Sequence, residues 1–245
     1  MSFAASFIDT VVERCLDRLS CREQLSPPGQ TWLDFETEAS DGSAGFLQLW
    51  AADDPVDRVV RVQLQGTGSE IHLFFVFGRS DTLVPHFHLQ IVQIGDASCV
   101  YNVDLLPRLD PVDHPGYYEQ VFFPLNRAYW KATTNPDNAC ASAPANPAIA
   151  AYLSPWGIAA GRPTDVAELE RVGVQIHEYL AHFLDLTRGI DYPAPAPELL
   201  RERNRRHLSC FFDEKLDPRA WKGLYRLAGG DQGHQIRQIL MQELA

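Results

Sequence analysis

The segment HFHLQIVQIGDASCVYNVDLL, residues 86–106, decides how the rest of the chain reads. From His86 to Ile94 it alternates, with Phe87, Leu89 and Ile91 on one side of a strand and His86, His88 and Gln90 on the other. A Gly95-Asp96 turn follows, and a second run from Ser98 to Leu106 turns Cys99, Tyr101 and Val103 one way and Asn102 and Asp104 the other. Period-two alternation across a tight Gly-Asp turn predicts a β-hairpin. A row of His, Gln, Asn and Asp on a half-buried sheet costs free energy unless partners meet it. That row is either solvent surface or the floor of a ligand pocket.

Working outward, alternating runs at Trp32–Glu38, Gly45–Ala51, Arg58–Gln65 and Glu70–Gly78 predict four strands before the hairpin. In the last of these, Ile71, Leu73, Phe75 and Phe77 oppose His72, Phe74 and Val76. Short turns and no intervening helices imply an antiparallel meander. Helical spacing marks Phe3–Leu19 and the longer Thr164–Gly189, where Leu169, Val172, Ile176, Leu180 and Phe183 form one stripe. His114-Pro115 opens a helix towards Trp130, with Pro124 placed to kink it. Thr133–Pro147 reads as a surface loop and Ala151–Gly161 as a strand returned to the sheet edge. After the Pro193–Pro197 spacer come helices at Glu198–Phe212, Pro218–Ala228 and Gln232–Leu244. Strands first and helices afterwards predict one α+β domain over residues 1–245, with helices covering a central antiparallel sheet.

The composition excludes several classes. A net charge of −11 opposes general nucleic-acid binding, which needs a basic field. No apolar run approaches the roughly 20 residues that cross a bilayer. MSFAASFIDTVVERC meets acid and base too early for a signal peptide. The five cysteines are scattered, without a CxxC pair, so a reducing, cytoplasmic setting is expected and neither a zinc cage nor a disulfide framework is.

Familiar catalytic motifs are missing. There is no G-x-S-x-G elbow, P-loop or G-x-G-x-x-G. His177-Glu-Tyr-Leu-Ala-His182 resembles a metalloprotease motif with one residue too many. An i, i+5 pair on a helix is splayed by about 140°, so the two rings cannot share an ion. His86 and His88 on one strand face, joined by His72 if the register allows, form the one arrangement that could hold a metal.

PHFHLQIVQ followed by VYNVDLLPRLDPVDHPGYYEQVF resembles the central hairpin and following segment of red chlorophyll catabolite reductase, within the ferredoxin-dependent bilin reductase superfamily. The resemblance implies a three-layer α/β/α sandwich and reduction of a linear tetrapyrrole. It also implies electrons from reduced ferredoxin, no bound cofactor or metal, and protons supplied by the pocket. Carried over residue by residue, the family's central-strand carboxylate falls on Gln90, its assisting histidine on His72 and its late-helix carboxylate on Asn204. Asn204 also lies in the stripe Leu200, Asn204, Leu208, Phe211, so it is either a pocket group or a satisfied core amide. Gln and Asn cannot act as ordinary acids, which leaves His72, His88, water or the substrate as proton sources. His88 is the attractive one, because imidazole titrates near neutrality.

Substrate propionates need cationic or hydrogen-bonding partners, for which Arg108, Asn102, Arg201 and Arg205 are the candidates. The basic cluster on the late helices suits docking of acidic ferredoxin. A homodimer is among the states this reading allows. Two alternatives stand beside it: a tetrapyrrole-binding protein of the same fold without catalysis, and a His-ligated metal enzyme.

Overall fold

The computed structural model describes residues 2–24, 33–36, 43–66, 68–95, 97–141, 147–160 and 162–243. Helix α1 (Phe3–Leu16) is capped by Ser2, whose Oγ accepts the Ala5 N–H at 3.1 Å. Strands β1 (Cys21–Gln24), β2 (Leu33–Glu36), β3 (Ser43–Ala52), β4 (Val56–Gly66), β5 (Ser69–Gly78), β6 (His86–Ile94) and β7 (Ser98–Leu106) follow. Then come α2 (Pro115–Val121), α3 (Asn126–Thr133), α4 (Pro147–Ala150), β8 (Ile158–Ala159), β9 (Thr164–Asp165) and α5 (Val166–Leu186). Three helices end the order: α6 (Pro197–Phe211), α7 (Pro218–Ala228) and α8 (Gly230–Met241).

The strands form one antiparallel sheet in the order β1-β3-β4-β5-β6-β7-β8, with β2 also on β3 and β9 on β7. Apolar side chains of β4–β7 such as Val59, Phe74, Phe87, Tyr101 and Val103 pack under α1, α2, α3 and α5. The opposite face, with Leu49, Val62, Leu73, Phe75 and Phe77, packs under α6, α7 and α8. Each such buried side chain contributes about 1.5–3 kcal/mol. The architecture is therefore the expected α/β/α sandwich about an antiparallel sheet.

Details differ from expectation for local reasons. β1 was not anticipated. The Trp32–Glu38 strand is seen as Leu33–Glu36, and its remaining residues lie outside the described ones. The helix opened by Pro115 breaks at a 3-10 turn, Phe123–Leu125, because Pro124 lacks an N–H. Among the described residues of the expected return strand, only Ile158 and Ala159 pair in register with β7. Within the segment expected as a surface loop, Asn138, Ala139 and Cys140 are buried. The Glu168 carboxylate draws that segment in, accepting from the Ala139 N–H at 2.7 Å and the Tyr101 hydroxyl at 2.6 Å. Among the described residues no helix is long and apolar enough to cross a membrane.

Candidate functional site

Pairing register, more than alternation within a strand, decides which polar groups meet. His88 lies opposite Asp104 and Gln90 opposite Asn102, so all four share the face under α6. Between β5 and β6 the parity reverses. Leu73 pairs with Gln90 and Phe75 with His88, whereas His72 pairs with Ile91. His72 therefore projects to the α1 side of the sheet, away from His88. There it lies 3.2 Å from Glu70, whose carboxylate also takes bonds from Gln63 Nε2 at 2.9 Å and from the Ser2 hydroxyl. This corrects both the expectation that His72 assists at the same pocket and the His72–His86–His88 metal arrangement. Among the described residues no group of three or more His, Cys, Asp or Glu is placed to hold an ion.

On the α6 side two polar clusters sit side by side. The first centres on His86. Its Nδ1 accepts the Gly78 N–H at 3.1 Å, so the ring hydrogen is on Nε2, which donates to Asn204 Oδ1 at 2.8 Å. Arg108 Nη1 donates to the same oxygen at 2.7 Å, while its Nη2 donates to the Ser80 carbonyl at 2.8 Å. Burial, then the Arg108 charge, holds His86 well below the usual imidazole range. Burial lowers Arg108 to about 10, which leaves it cationic at neutral pH. Gly78 makes this possible, since a Cβ there would stand 2.4 Å from the Val84 carbonyl oxygen. Arg108 is 1 % exposed and turned inward, a correction to its expected direct role on a substrate propionate. Asn204 is a satisfied amide: its Nδ2 donates to Glu243 at 3.1 Å.

The second cluster holds His88 and Asp104. His88 is stacked on Phe75, with centroids 4.6 Å apart, and meets the edge of Phe211 at 5.5 Å. Enclosed by these rings, it is pushed by burial down to about 3 and does not titrate near neutrality as expected. Its Nδ1 is buried and has no hydrogen-bond partner among the described residues, and neither has Asn102 Oδ1 on the same face. Two orphaned polar atoms on one sheet face are what a polar ligand would satisfy.

Asp104 is the group that sequence reading passed over. It is fully buried, and burial raises its carboxyl to about 7 against the opposing pull of Ser154 and Leu105 donors. Ser154 supplies two of these, from its N–H at 2.6 Å and its hydroxyl at 2.5 Å, and Leu105 N–H a third at 2.8 Å. The signal available in the sequence was its place opposite His88 in the hairpin. Its burial comes from residues 150–157 folding over the β7 edge, which no local pattern announces.

That covering loop forms one wall of a cleft of about 740 Å³, closed on the other side by α6 and residues 107–111. Leu153 and Pro155 line it, and Ser154 between them turns inward to Asp104. Arg203 and His207 tie α6 across the cleft to the carbonyls of Pro107 and Tyr152, at 2.6 and 2.9 Å. Rings run from the cleft to the sheet in the order Tyr152, His207, Phe211, His88 and Phe75. Gln90 is half-buried beside them. Arg201 and Arg205 stand outside, in exposed ion pairs with Asp81 and Glu198 and with Glu202.

No family model matches the chain, and no curated protein matches it. Among solved structures, phytochromobilin synthase from tomato, in complex with biliverdin, is similar in fold. The TM-score is 0.76 at 16% identity, covering 97% of this chain and 82% of that one. At that identity the likeness establishes the fold: an antiparallel sheet between helical layers, shared over nearly the whole chain.

Proposed function

We propose that the protein reduces a linear tetrapyrrole, with Asp104 as its proton donor. The observation that carries this is a carboxyl sealed in the sheet beside His88, with its acid strength set near neutrality. A group that holds its proton at pH 7 and can release it is what general-acid chemistry requires. His88 stays neutral, so its role is to position the pigment by hydrogen bonding and ring stacking. Gln90 and Asn102 serve the same end, the amide oxygen of Asn102 suiting a pyrrole N–H. Reduction of one double bond consumes two electrons and two protons. Asp104 delivers one proton at each turnover and is reprotonated from solvent, which also supplies the second proton. The electrons come singly from an external carrier, for which reduced ferredoxin is the reading the sequence resemblance favours. Support also comes from the fold shared with a protein that binds biliverdin. The native pigment is proposed as an open-chain bilin or chlorophyll catabolite.

The test uses biliverdin and, separately, a red chlorophyll catabolite under anaerobic conditions. Binding should shift the pigment's absorption band, and reduced ferredoxin should then bleach or move it. Asp104→Asn should keep the shift and lower the turnover by about 10²-fold or more, the scale of general-acid catalysis. A shift without ferredoxin-dependent bleaching would make the protein a pigment carrier. Undiminished turnover in Asp104→Asn would remove Asp104 from the chemistry.

A further inference from the structure

Glu243 follows α8 and is an exposed residue, yet its carboxylate ends among buried groups. Oε1 accepts from Asn204 Nδ2 at 3.1 Å and Oε2 from Ser80 Oγ at 2.9 Å. Asn204 is 4 % exposed and Ser80 7 %. Behind Asn204 stands Arg108, whose Nη1 donates to the amide's oxygen. The buried guanidinium of Arg58 lies on the same side, 3.9 Å above the Phe77 ring, donating to the Leu240 carbonyl at 3.0 Å. Arg58 has its own carboxylate, Asp57. Arg108 has none in ion-pair contact among the described residues, and its guanidinium donates there only to carbonyl and amide oxygens. Two neutral donors facing outward over an unneutralised buried cation are the makings of an anion site. The carboxylate that fills it enters from the surface on a single side chain.

We propose that Ser80 and Asn204, backed by Arg108, form a carboxylate-binding subsite that Glu243 occupies in cis and that a substrate carboxylate takes over by displacing it. The identity of that substrate as a tetrapyrrole bearing carboxylate side chains rests on the function proposed above; the subsite itself does not. His86 and His88 are two residues apart on one strand face, so the subsite adjoins the Asp104–His88 cluster. A pigment lying over the latter has a carboxylate anchor within one side-chain length. Glu243 thereby competes with substrate, and its removal tightens binding of ligands that carry the carboxylate.

Two measurements test this separately. In the first, melting is followed without pigment, in sodium propionate and in sodium chloride at matched ionic strength. Glu243→Ala should melt below the wild type in chloride and recover in propionate, while the wild type responds equally to both salts. Equal responses of the two proteins to propionate, or no response from either, overturn the subsite. In the second, biliverdin and its dimethyl ester are titrated into both proteins. Glu243→Ala should bind biliverdin about tenfold more tightly, the scale of one charge-assisted hydrogen bond, and bind the ester unchanged. Biliverdin affinity equal in the two proteins overturns displacement by substrate even if pigment reduction is observed. Recovery in propionate with no biliverdin binding by either protein leaves the subsite standing and sinks the tetrapyrrole reading instead.

Discussion

His72 and His88 occupy adjacent strands and are both shut away from water, on opposite faces of one sheet. Under α1, His72 is set beside Glu70, which is in turn bonded by Gln63 and Ser2, with the Arg61–Asp9 pair close by. Under α6, His88 pairs across the hairpin with Asp104 and lies against Phe75 and Phe211, its Nδ1 unpartnered among the described residues. The first arrangement surrounds a polar ring with opposite charge and ties α1 to the sheet. The second surrounds it with aromatic rings, and in both arrangements the ring Nδ1 lacks a hydrogen-bond partner among the described residues. Burial and an unpartnered ring nitrogen are common to both histidines; the kind of neighbour is what differs. Enclosure by rings opposite a carboxyl raised to about 7 is what makes the α6 side the candidate site.

The comparison can be broken most forcefully at the rings. Phe75→Ala should cost about 3–5 kcal/mol in denaturant unfolding, because it opens a cavity under α6 and strips His88 of its stack. A loss of under 1 kcal/mol would show that the α6 side is not packed as described. The pH dependence sharpens the contrast at intermediate size. His88, held down at about 3, contributes stability that is full above about 6.5 and is lost as pH falls from there. Asp104, raised to about 7, contributes stability that is full below about 3.8 and is lost as pH rises towards 7. Between pH 4.5 and 6 the two slopes oppose each other. His88→Gln should thus make stability fall with rising pH, and Asp104→Asn should make it climb, relative to wild type and by about 1.4 kcal/mol per pH unit. Variants that track the wild-type curve would contradict the buried placement of both groups. The smallest effect is expected across the sheet, where Glu70→Gln removes the charge but keeps an oxygen for its partners and should cost about 1 kcal/mol while leaving pigment turnover untouched. Turnover lost in that variant would mean that the α1 face takes part after all.

Much of this was legible in the chain, for reasons that lie within single elements. Alternation in His86–Leu106 set the hairpin and the shared face of His88, Gln90, Asn102 and Asp104. The stripe Leu200, Asn204, Leu208 placed Asn204 inward. What failed was information held between elements. His72 was carried over from the family resemblance, yet β5 and β6 pair with an odd offset, so even residues of one strand meet odd residues of the other. No pattern inside either strand records that offset. The expected acidity of His88 failed likewise, since the rings that enclose it come from β5 and α6. Arg108 was expected at a ligand and is instead taken by the Ser80 and Arg79 carbonyls.

Gly78 has a consequence beyond its own turn. With its N–H aimed at Nδ1 of His86, it determines which ring nitrogen carries hydrogen, so that Nε2 joins Arg108 Nη1 in donating to the Asn204 oxygen. A methyl group at position 78 would strike the Val84 carbonyl and push the two backbones apart. The imidazole on the next strand would then lose the donor that settles its tautomer, so a position bearing no side chain governs the wiring of a buried ring.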